Sequence, residues 1–99
     1  MAYVLVTIKK ILDQQAFDEY ADKVGPILRS YGGSWVAIER HSVTLAGTWP
    51  YVRTVMVEFP SMEKARQWYD SGEYAEIIPL RERAIDANIV MVRSLREKD

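Results

Sequence analysis

Hydrophobic positions along this chain follow two different periods, and each period predicts a different kind of element. Four short segments are rich in Val, Ile, Leu and aromatic residues, as strands are: residues 3–11, 34–40, 53–59 and 89–95. Residues 14–31 repeat apolar side chains at three- and four-residue steps, which is the spacing of an amphipathic helix. Residues 62–87 follow the same spacing, with an interruption at Asp70-Ser71-Gly72. The predicted order is therefore strand, helix, two strands, two helices, strand.

Capping and turn residues mark the ends of these elements. Asp13, Ser61 and Ser71 carry side-chain oxygens of the kind that cap helix N-termini, so each is predicted to precede a helix. Gly32-Gly33 supplies residues that tolerate positive φ and is predicted to end the first helix. The Gly25-Pro26 pair is expected to bend that helix, because proline removes a backbone donor and crowds the preceding turn.

This order of elements is that of the ferredoxin-like βαββαβ fold, an α+β class with a four-stranded antiparallel sheet and helices on one face. Residues 1–99 suit a single domain around one core. The strands offer apolar side chains to both faces of the sheet, the candidates being Val4, Val6, Ile8, Val36, Ile38, Val90 and Val92. Since helices cover only one face, we expect two copies to pack their other faces together as a homodimeric α/β barrel. A monomer with a partly apolar open face is the alternative.

Composition and charge narrow the classes of partner. Lys and Arg number 13 against 14 Asp and Glu, and the absence of a basic block argues against nucleic acid as a partner. The lack of cysteine excludes disulfides and thiolate sites and permits a reducing cytoplasm, where we expect the protein. A lone histidine, His41, predicts no metal site. Neither a signal-peptide pattern nor an apolar run of roughly 20 residues is present, so no membrane partner is expected.

The segment from residue 68 to residue 84 carries an arginine among core positions. On a helical wheel, one broad stripe has Arg81 near its centre and contains Tyr74, Ile77, Ile78, Arg81, Ala84 and Ile85. In one interpretation Arg81 is structural and pairs with a carboxylate such as Glu58 or with strand-end carbonyls. In the other it borders a cavity between helices and sheet and binds an anionic or carbonyl-bearing ligand. Pro79 is expected to kink this helix and to rotate its second half, which would shift the position of Arg81 on the wheel.

Aromatic residues and the lone histidine supply further candidates. Trp68 and Tyr31 are large rings that suit the wall of a site for a flat organic molecule, with plain core packing as the alternative for Trp68. Trp49 lies in a turn-rich loop that follows a short extended piece at residues 43–45, where it is expected to act as a lid or to brace a dimer. His41 ends a strand and is a candidate general acid or base, with an exposed turn histidine as the plainer interpretation.

The chain resembles the family known as domain of unknown function 1330. The similarity rests on "YVLVTI", "YGGSWVAI", "GTWP", "VMVEFPSMEKARQWYDSGEYAEIIPLRERA" and the final "IVMV". The family pattern maps onto Tyr31, Gly33, Trp49, Trp68, Tyr69, Ser71, Tyr74, Pro79 and Arg81. The resemblance implies the dimeric α/β barrel superfamily, which includes cofactor-free oxygenases, ring isomerases and haem-dependent relatives. Haem is not expected here, since His41 on a strand end is not the helical proximal ligand of the haem-binding relatives.

These observations together predict a homodimer that binds a small molecule between sheet and helices, or that acts on it as a cofactor-independent oxygenase or isomerase. The predicted catalytic residues are His41 as proton carrier and Arg81 as the group that neutralises an oxyanion or carboxylate. The predicted ligand-binding residues are Tyr31, Trp49, Trp68, Ser71, Tyr74 and Arg81. No cofactor is predicted. The alternative is a non-catalytic structural dimer in which Arg81 fixes the helix on the sheet.

Overall fold

The computed structural model describes residues 1–97 and has the architecture that the sequence predicts. Its elements are β1 (Ala2–Ile11), α1 (Gln14–Ser30), β2 (Ser34–Glu39), β3 (Arg53–Phe59), α2 (Met62–Tyr69), α3 (Gly72–Ala84) and β4 (Ile85–Arg93). The strands form an antiparallel sheet in the order β2-β3-β1-β4, and the helices lie on one face. The α+β ferredoxin-like fold is therefore confirmed. Across residues 1–97, no helix combines the length and hydrophobicity that crossing a membrane would need.

Side-chain caps begin all three helices at the predicted residues. Asp13 accepts a hydrogen bond from the backbone N–H of Ala16 at 3.1 Å. Ser61 and Ser71 do the same for the residues three positions on, each at 3.1 Å. Gly32 turns the chain after α1 with a φ of 85°, a conformation that glycine adopts without a steric penalty. The predicted boundaries of the first helix are confirmed to within one residue, and Pro26 lies inside it without ending it.

The predicted boundary between the last helix and the last strand is wrong. The helix was expected to run to about residue 87, but α3 ends at Ala84 and β4 begins directly at Ile85. Ile85 has extended backbone angles, with φ −143° and ψ 149°, and its side chain is still buried. The last residue of α3, Ala84, and the first residue of β4, Ile85, are both buried. The apolar pattern therefore continues across the boundary and does not show where the helical period gives way to the strand period. The predicted extended piece at residues 43–45 forms no strand.

A β-bulge at Val36 changes which side chains of β2 share a face. Trp35 pairs with Val57, whereas Ala37 pairs with Met56, so Val36 has no partner of its own. Alternation alone predicts that Trp35 and Ala37 point to the same side of the sheet. The extra residue breaks the alternation and turns the Trp35 side chain toward the helices.

Buried side chains between the sheet and the helices form two neighbouring clusters. The larger contains Val4, Val24, Leu28, Val55, Val57, Phe59, Ala65, Trp68, Tyr74 and Ile77. The smaller contains Ile8, Ala16, Leu80, Ala84 and Ile85. Every side chain of β2, in contrast, is exposed. The core thus lies over β1 and β3, and the helices leave the β2 side of the sheet uncovered.

The other face of the sheet carries an apolar row that crosses all four strands. The register places Leu5 beside Val90 on one side and Met56 on the other, and Met56 beside Ala37. A polar row lies next to it, in which Asn88 Nδ2 donates to Thr7 Oγ1 at 3.2 Å. No helix packs on this face within residues 1–97.

Candidate functional site

An apolar cleft of about 420 Å³ lies between α1 and the sheet, on the side where β2 is uncovered. We call it the helix–sheet cleft. Its walls include Val24 and Leu28 of α1 and, across from them, Val6, Ile38 and Val55 of the sheet. The predicted cavity between sheet and helices is therefore present. A volume of this size lies within the range of pockets that bind small organic molecules.

Trp68, at the inner end of the cleft, carries a buried hydrogen-bond donor without a partner among the described residues. Trp68 lines the cleft, and its side chain is only 4% exposed. The indole packs against Phe59 at 5.5 Å and Tyr74 at 4.7 Å between ring centroids. Its Nε1 has no hydrogen-bond partner among the residues that the structure describes. Leaving a buried donor unpaired costs about 1–3 kcal/mol, so this N–H is a group that an acceptor on a ligand would satisfy.

The outer end of the cleft is positively charged. Arg40 and Arg53 both line it, and the Arg53 guanidinium carbon lies 4.9 Å from the centroid of the Phe17 ring. Asp18 also lines the cleft, but its carboxylate accepts a hydrogen bond from Gln14 at 2.9 Å. Within residues 1–97, neither arginine forms an ion pair with a carboxylate.

Arg81 lies outside this cleft, in a cluster with three tyrosines. Its Nη1 donates to the hydroxyl of Tyr74 at 2.9 Å and to that of Tyr69 at 3.2 Å. Burial alone would lower the pKa of Arg81, but these two hydrogen bonds outweigh it and raise the pKa above its ordinary value. We call Tyr20, Tyr69, Tyr74 and Arg81 the arginine–tyrosine cluster. The guanidinium borders a separate polar depression of about 290 Å³ at the edge of β4.

Tyr20 connects the arginine–tyrosine cluster to the helix–sheet cleft. Its ring lines the cleft, and its hydroxyl is hydrogen-bonded to the Tyr74 hydroxyl at 2.8 Å. Burial, reinforced by the neighbouring Tyr74 hydroxyl, raises the pKa of Tyr20 above its ordinary value. Tyr20 is therefore a neutral phenol at physiological pH, held in place beside the cavity by a hydrogen bond.

The predicted pairing of Arg81 with Glu58 is not formed. No carboxylate within residues 1–97 forms an ion pair with Arg81, and two phenol oxygens take its place. Its predicted position at the centre of the stripe is also wrong, because the buried side chains of α3 are those of Tyr74, Ile77, Leu80 and Ala84. Arg81 is half-buried beside that stripe and lines the depression at β4.

The other predicted site residues lie away from the cleft. Ser71 caps α3 and donates to the Trp68 carbonyl at 2.8 Å, so its hydroxyl is occupied within the fold. Tyr31 donates to Glu73 at 3.4 Å. His41 lies on an exposed bend, where its backbone N–H donates to the side chain of Glu39. Of the predicted ligand-binding residues, Trp68 is the one that lines the cleft.

Trp49 lies in the loop of residues 40–52, which folds back on the start of β3. Its indole Nε1 donates to Thr54 Oγ1 at 2.9 Å, and its ring contacts Tyr51 edge-on at 4.9 Å. Earlier in the same loop, Val43 and Leu45 are 83% and 94% exposed. Thr54 pairs with Thr7 of β1 and therefore belongs to the face without helices. The loop is thus anchored beside the open face rather than over the helix–sheet cleft.

The predicted site residues do not include Arg40, Arg53 and Trp35, which line the cleft. Arg40 is two residues from Ile38, and Arg53 is two residues from Val55, so the strand period predicts that each arginine points to the same face as its apolar neighbour. The direction of the Trp35 side chain could not be predicted from the strand period, because the bulge reverses it. Within residues 1–97, no group of three or more His, Cys, Asp and Glu side chains is arranged to hold a metal ion.

Solved structures share this fold at low sequence identity. The chain matches a protein of unknown function from Rhodopseudomonas palustris with a TM-score of 0.78 at 18% identity, over 96% of this chain and 82% of that one. A putative antibiotic biosynthesis monooxygenase from Nitrosomonas europaea matches with a TM-score of 0.66 at 14% identity, over 96% and 99%. HapK from Hahella chejuensis matches with a TM-score of 0.61 at 15% identity, over 100% and 97%. At such identities the likeness is one of fold alone.

These structures define the class of the chain as a ferredoxin-like α+β protein similar in fold to antibiotic biosynthesis monooxygenases. No curated protein matches its sequence. The family model described as domain of unknown function (DUF1330) matches residues 1–95. The chain belongs to this family, as the resemblance of its sequence motifs indicates.

Proposed function

We propose that the protein binds a small organic molecule that carries a carbonyl or a similar acceptor in the helix–sheet cleft. The observation that carries this proposal is the buried Trp68 indole: Trp68 lines the apolar cavity, and its N–H has no acceptor among the described residues. A bound carbonyl oxygen would accept from this donor, and the apolar walls would take the rest of the molecule.

The contacts of Arg81 favour a structural role over ligand binding. Its Nη1 is occupied by two tyrosines, and it lies outside the cleft. We therefore assign Arg81 to the support of Tyr20 and of helix packing, which is the structural alternative that the sequence left open. Catalysis by His41 or Arg81 stays a prediction.

We also propose that the protein is a homodimer through the open face of the sheet. The row of Val90, Leu5, Met56 and Ala37 is apolar, and the adjacent row of Asn88, Thr7, Thr54 and Glu39 is polar. An apolar centre beside a polar rim is the usual anatomy of a protein interface. The exposed Val43 and Leu45 belong to the loop that is anchored beside this face. A second copy of the chain is the partner that would cover both the apolar row of the sheet and the exposed apolar side chains of the loop.

Binding of the neutral, carbonyl-bearing dye prodan tests the cleft. We expect prodan emission to increase and shift to shorter wavelength with the wild-type protein. Trp68→Phe keeps an aromatic ring but removes the donor, so affinity should fall by about tenfold, which corresponds to one hydrogen bond. Ala21→Phe should abolish binding, because Ala21 is an exposed residue of α1 on the cleft and its replacement fills the space.

The control is Arg83→Gln, an exposed position on α3 outside the cleft. Circular dichroism establishes that each variant is folded before titration. The proposal fails if prodan does not bind to the wild-type protein, or if Ala21→Phe binds it as tightly as the wild-type protein does.

A further inference from the structure

The outer end of the helix–sheet cleft places two arginines side by side. Glu39 pairs with Thr54 at the end of the ladder between β2 and β3. Arg40 directly follows β2 and Arg53 begins β3, so continuing the register by one residue sets Arg40 opposite Arg53. Both line the cleft and therefore point to the helix side of the sheet. Like charges directly opposite on neighbouring strands are destabilising, which makes this juxtaposition costly unless an anion lies between them.

The protein itself supplies little to neutralise the two arginines. Within residues 1–97, no carboxylate forms an ion pair with either of them. Asp18 is the carboxylate on the cleft, and Gln14 donates to it at 2.9 Å. Two guanidinium groups against one carboxylate leave this end of the cleft with a net positive charge.

One of the arginines is held in a defined orientation. The Arg53 guanidinium lies over the face of Phe17 at 4.9 Å from the ring centroid, and the Arg53 side chain is half-buried. Stacking on a ring fixes the plane of a guanidinium while leaving its in-plane N–H donors free. Those donors match the two oxygens of a carboxylate, and the apolar surroundings strengthen the interaction.

We propose that Arg40 and Arg53 form an anion clamp and that the ligand is an amphipathic organic anion, such as a carboxylate with an apolar body. This inference rests on the proposed function, since it assumes that the cleft is a binding site. Arg53 begins β3, whereas Trp68 packs on Phe59 at the end of that strand. At about 3.3 Å per residue, the two ends of the strand are about 20 Å apart. The clamp and the indole donor therefore recognise opposite ends of an elongated molecule.

Two dyes that share one skeleton test the clamp separately from the cleft. The sulfonate 1-anilinonaphthalene-8-sulfonate is an amphipathic anion, and N-phenyl-1-naphthylamine is the same skeleton without the sulfonate. We expect the wild-type protein to bind the anion at least about tenfold more tightly than the neutral dye. Arg40→Gln with Arg53→Gln should remove that preference and leave the affinity for the neutral dye unchanged.

Arg83→Gln serves as the matched control for the loss of a surface arginine, and Ala21→Phe reports whether either dye occupies the cleft. If the double variant keeps the wild-type preference for the anion while Ala21→Phe blocks both dyes, the clamp is overturned and the cleft stands. If the wild-type protein binds neither dye, or if Ala21→Phe blocks neither, the proposed function and the clamp are overturned together. Where the double variant does not fold, the single substitutions carry the same comparison.

Discussion

Arg81 Nη1 lies 2.9 Å from the hydroxyl oxygen of Tyr74, so the guanidinium is held by a phenol and not by a carboxylate. The same hydroxyl is hydrogen-bonded to Tyr20 of α1 at 2.8 Å. A residue of α3 is thereby coupled to a residue that lines the helix–sheet cleft. The arrangement links the two longest helices through one chain of polar contacts inside an aromatic cluster.

A double-mutant cycle should measure this coupling. Arg81→Leu removes a charge-assisted donor, and Tyr74→Phe removes the shared hydroxyl, so each should lower the free energy of unfolding by about 1–3 kcal/mol. Because the two groups contact each other, the losses should be non-additive by about 0.5–3 kcal/mol. Urea denaturation measures all four proteins. Arg83→Leu, on the exposed side of the same helix, should change stability by less than about 0.5 kcal/mol. Strictly additive losses would contradict the coupling.

The raised pKa of Tyr20 predicts a loss of stability at alkaline pH. The pKa of tyrosine in the unfolded chain is about 10. In the fold its neutral form is favoured by burial and by the Tyr74 hydroxyl, against an opposing attraction from Arg81. Above about pH 10 the unfolded state therefore holds fewer protons than the native state, and stability falls as pH rises toward the folded pKa.

Tyr20→Phe should make this alkaline decline shallower, by up to about 1.4 kcal/mol per pH unit for one proton. Denaturation midpoints measured from pH 8 to pH 12 test the difference. Tyr51→Phe is the control, because this phenol lies outside the arginine–tyrosine cluster. An unchanged slope in Tyr20→Phe would show that burial of this hydroxyl does not govern the alkaline behaviour.

Gly32 should tolerate alanine poorly. Its φ of 85° lies in the left-handed region, and an added Cβ would approach Pro60 Cγ at 2.9 Å. The backbone term alone costs about 1–2 kcal/mol for a residue with a side chain. Gly72→Ala is the matched control, since a Cβ there meets nothing within 4 Å and its φ is not in the left-handed region. We expect thermal unfolding to show a clear loss for Gly32→Ala and a change under about 1 kcal/mol for Gly72→Ala.

Val90→Lys should separate the proposed dimer into monomers. Val90 is 49% exposed and lies in the apolar row beside Leu5, so a lysine would bring a charge into the proposed interface. Light scattering coupled to size exclusion should report twice the 11.4 kDa of the chain for the wild-type protein and the chain mass for the variant. Leu12→Lys replaces a comparably exposed leucine beyond the sheet and should remain dimeric. A wild-type monomer at micromolar concentration would refute the open-face interface.

The features of the fold that the sequence predicts are the ones with local signals. The caps at Asp13, Ser61 and Ser71 depend on a side chain and the N–H three residues later, so short stretches determine them. The passage from α3 into β4 at Ile85 has no local signal, because no turn residue separates the elements. The bulge at Val36 is likewise set by pairing with β3, which is distant in sequence.

The candidate site was less predictable than the fold. A helical wheel identifies Arg81 as a misplaced charge, but it cannot show that Tyr69 of α2 and Tyr74 of α3 supply the acceptors. The burial of Trp68 follows from its helix face and it lines the cleft, whereas its contact with a ligand stays a prediction. Arg40 and Arg53 carried a usable signal in their strand phase, yet their significance depends on a cross-strand pairing that appears only in the assembled sheet.

The bulge in β2 also has a consequence for motion. β2 is an edge strand with β3 as its one neighbour, and the extra residue interrupts the ladder between them. Segments with few interstrand bonds and exposed side chains open at a lower free energy than the rest of a sheet. Amide hydrogens around Val36 should therefore exchange with solvent faster than those of β1. The wall that carries Trp35 and Ile38 is then the adjustable side of the cleft, and α1 is the fixed side.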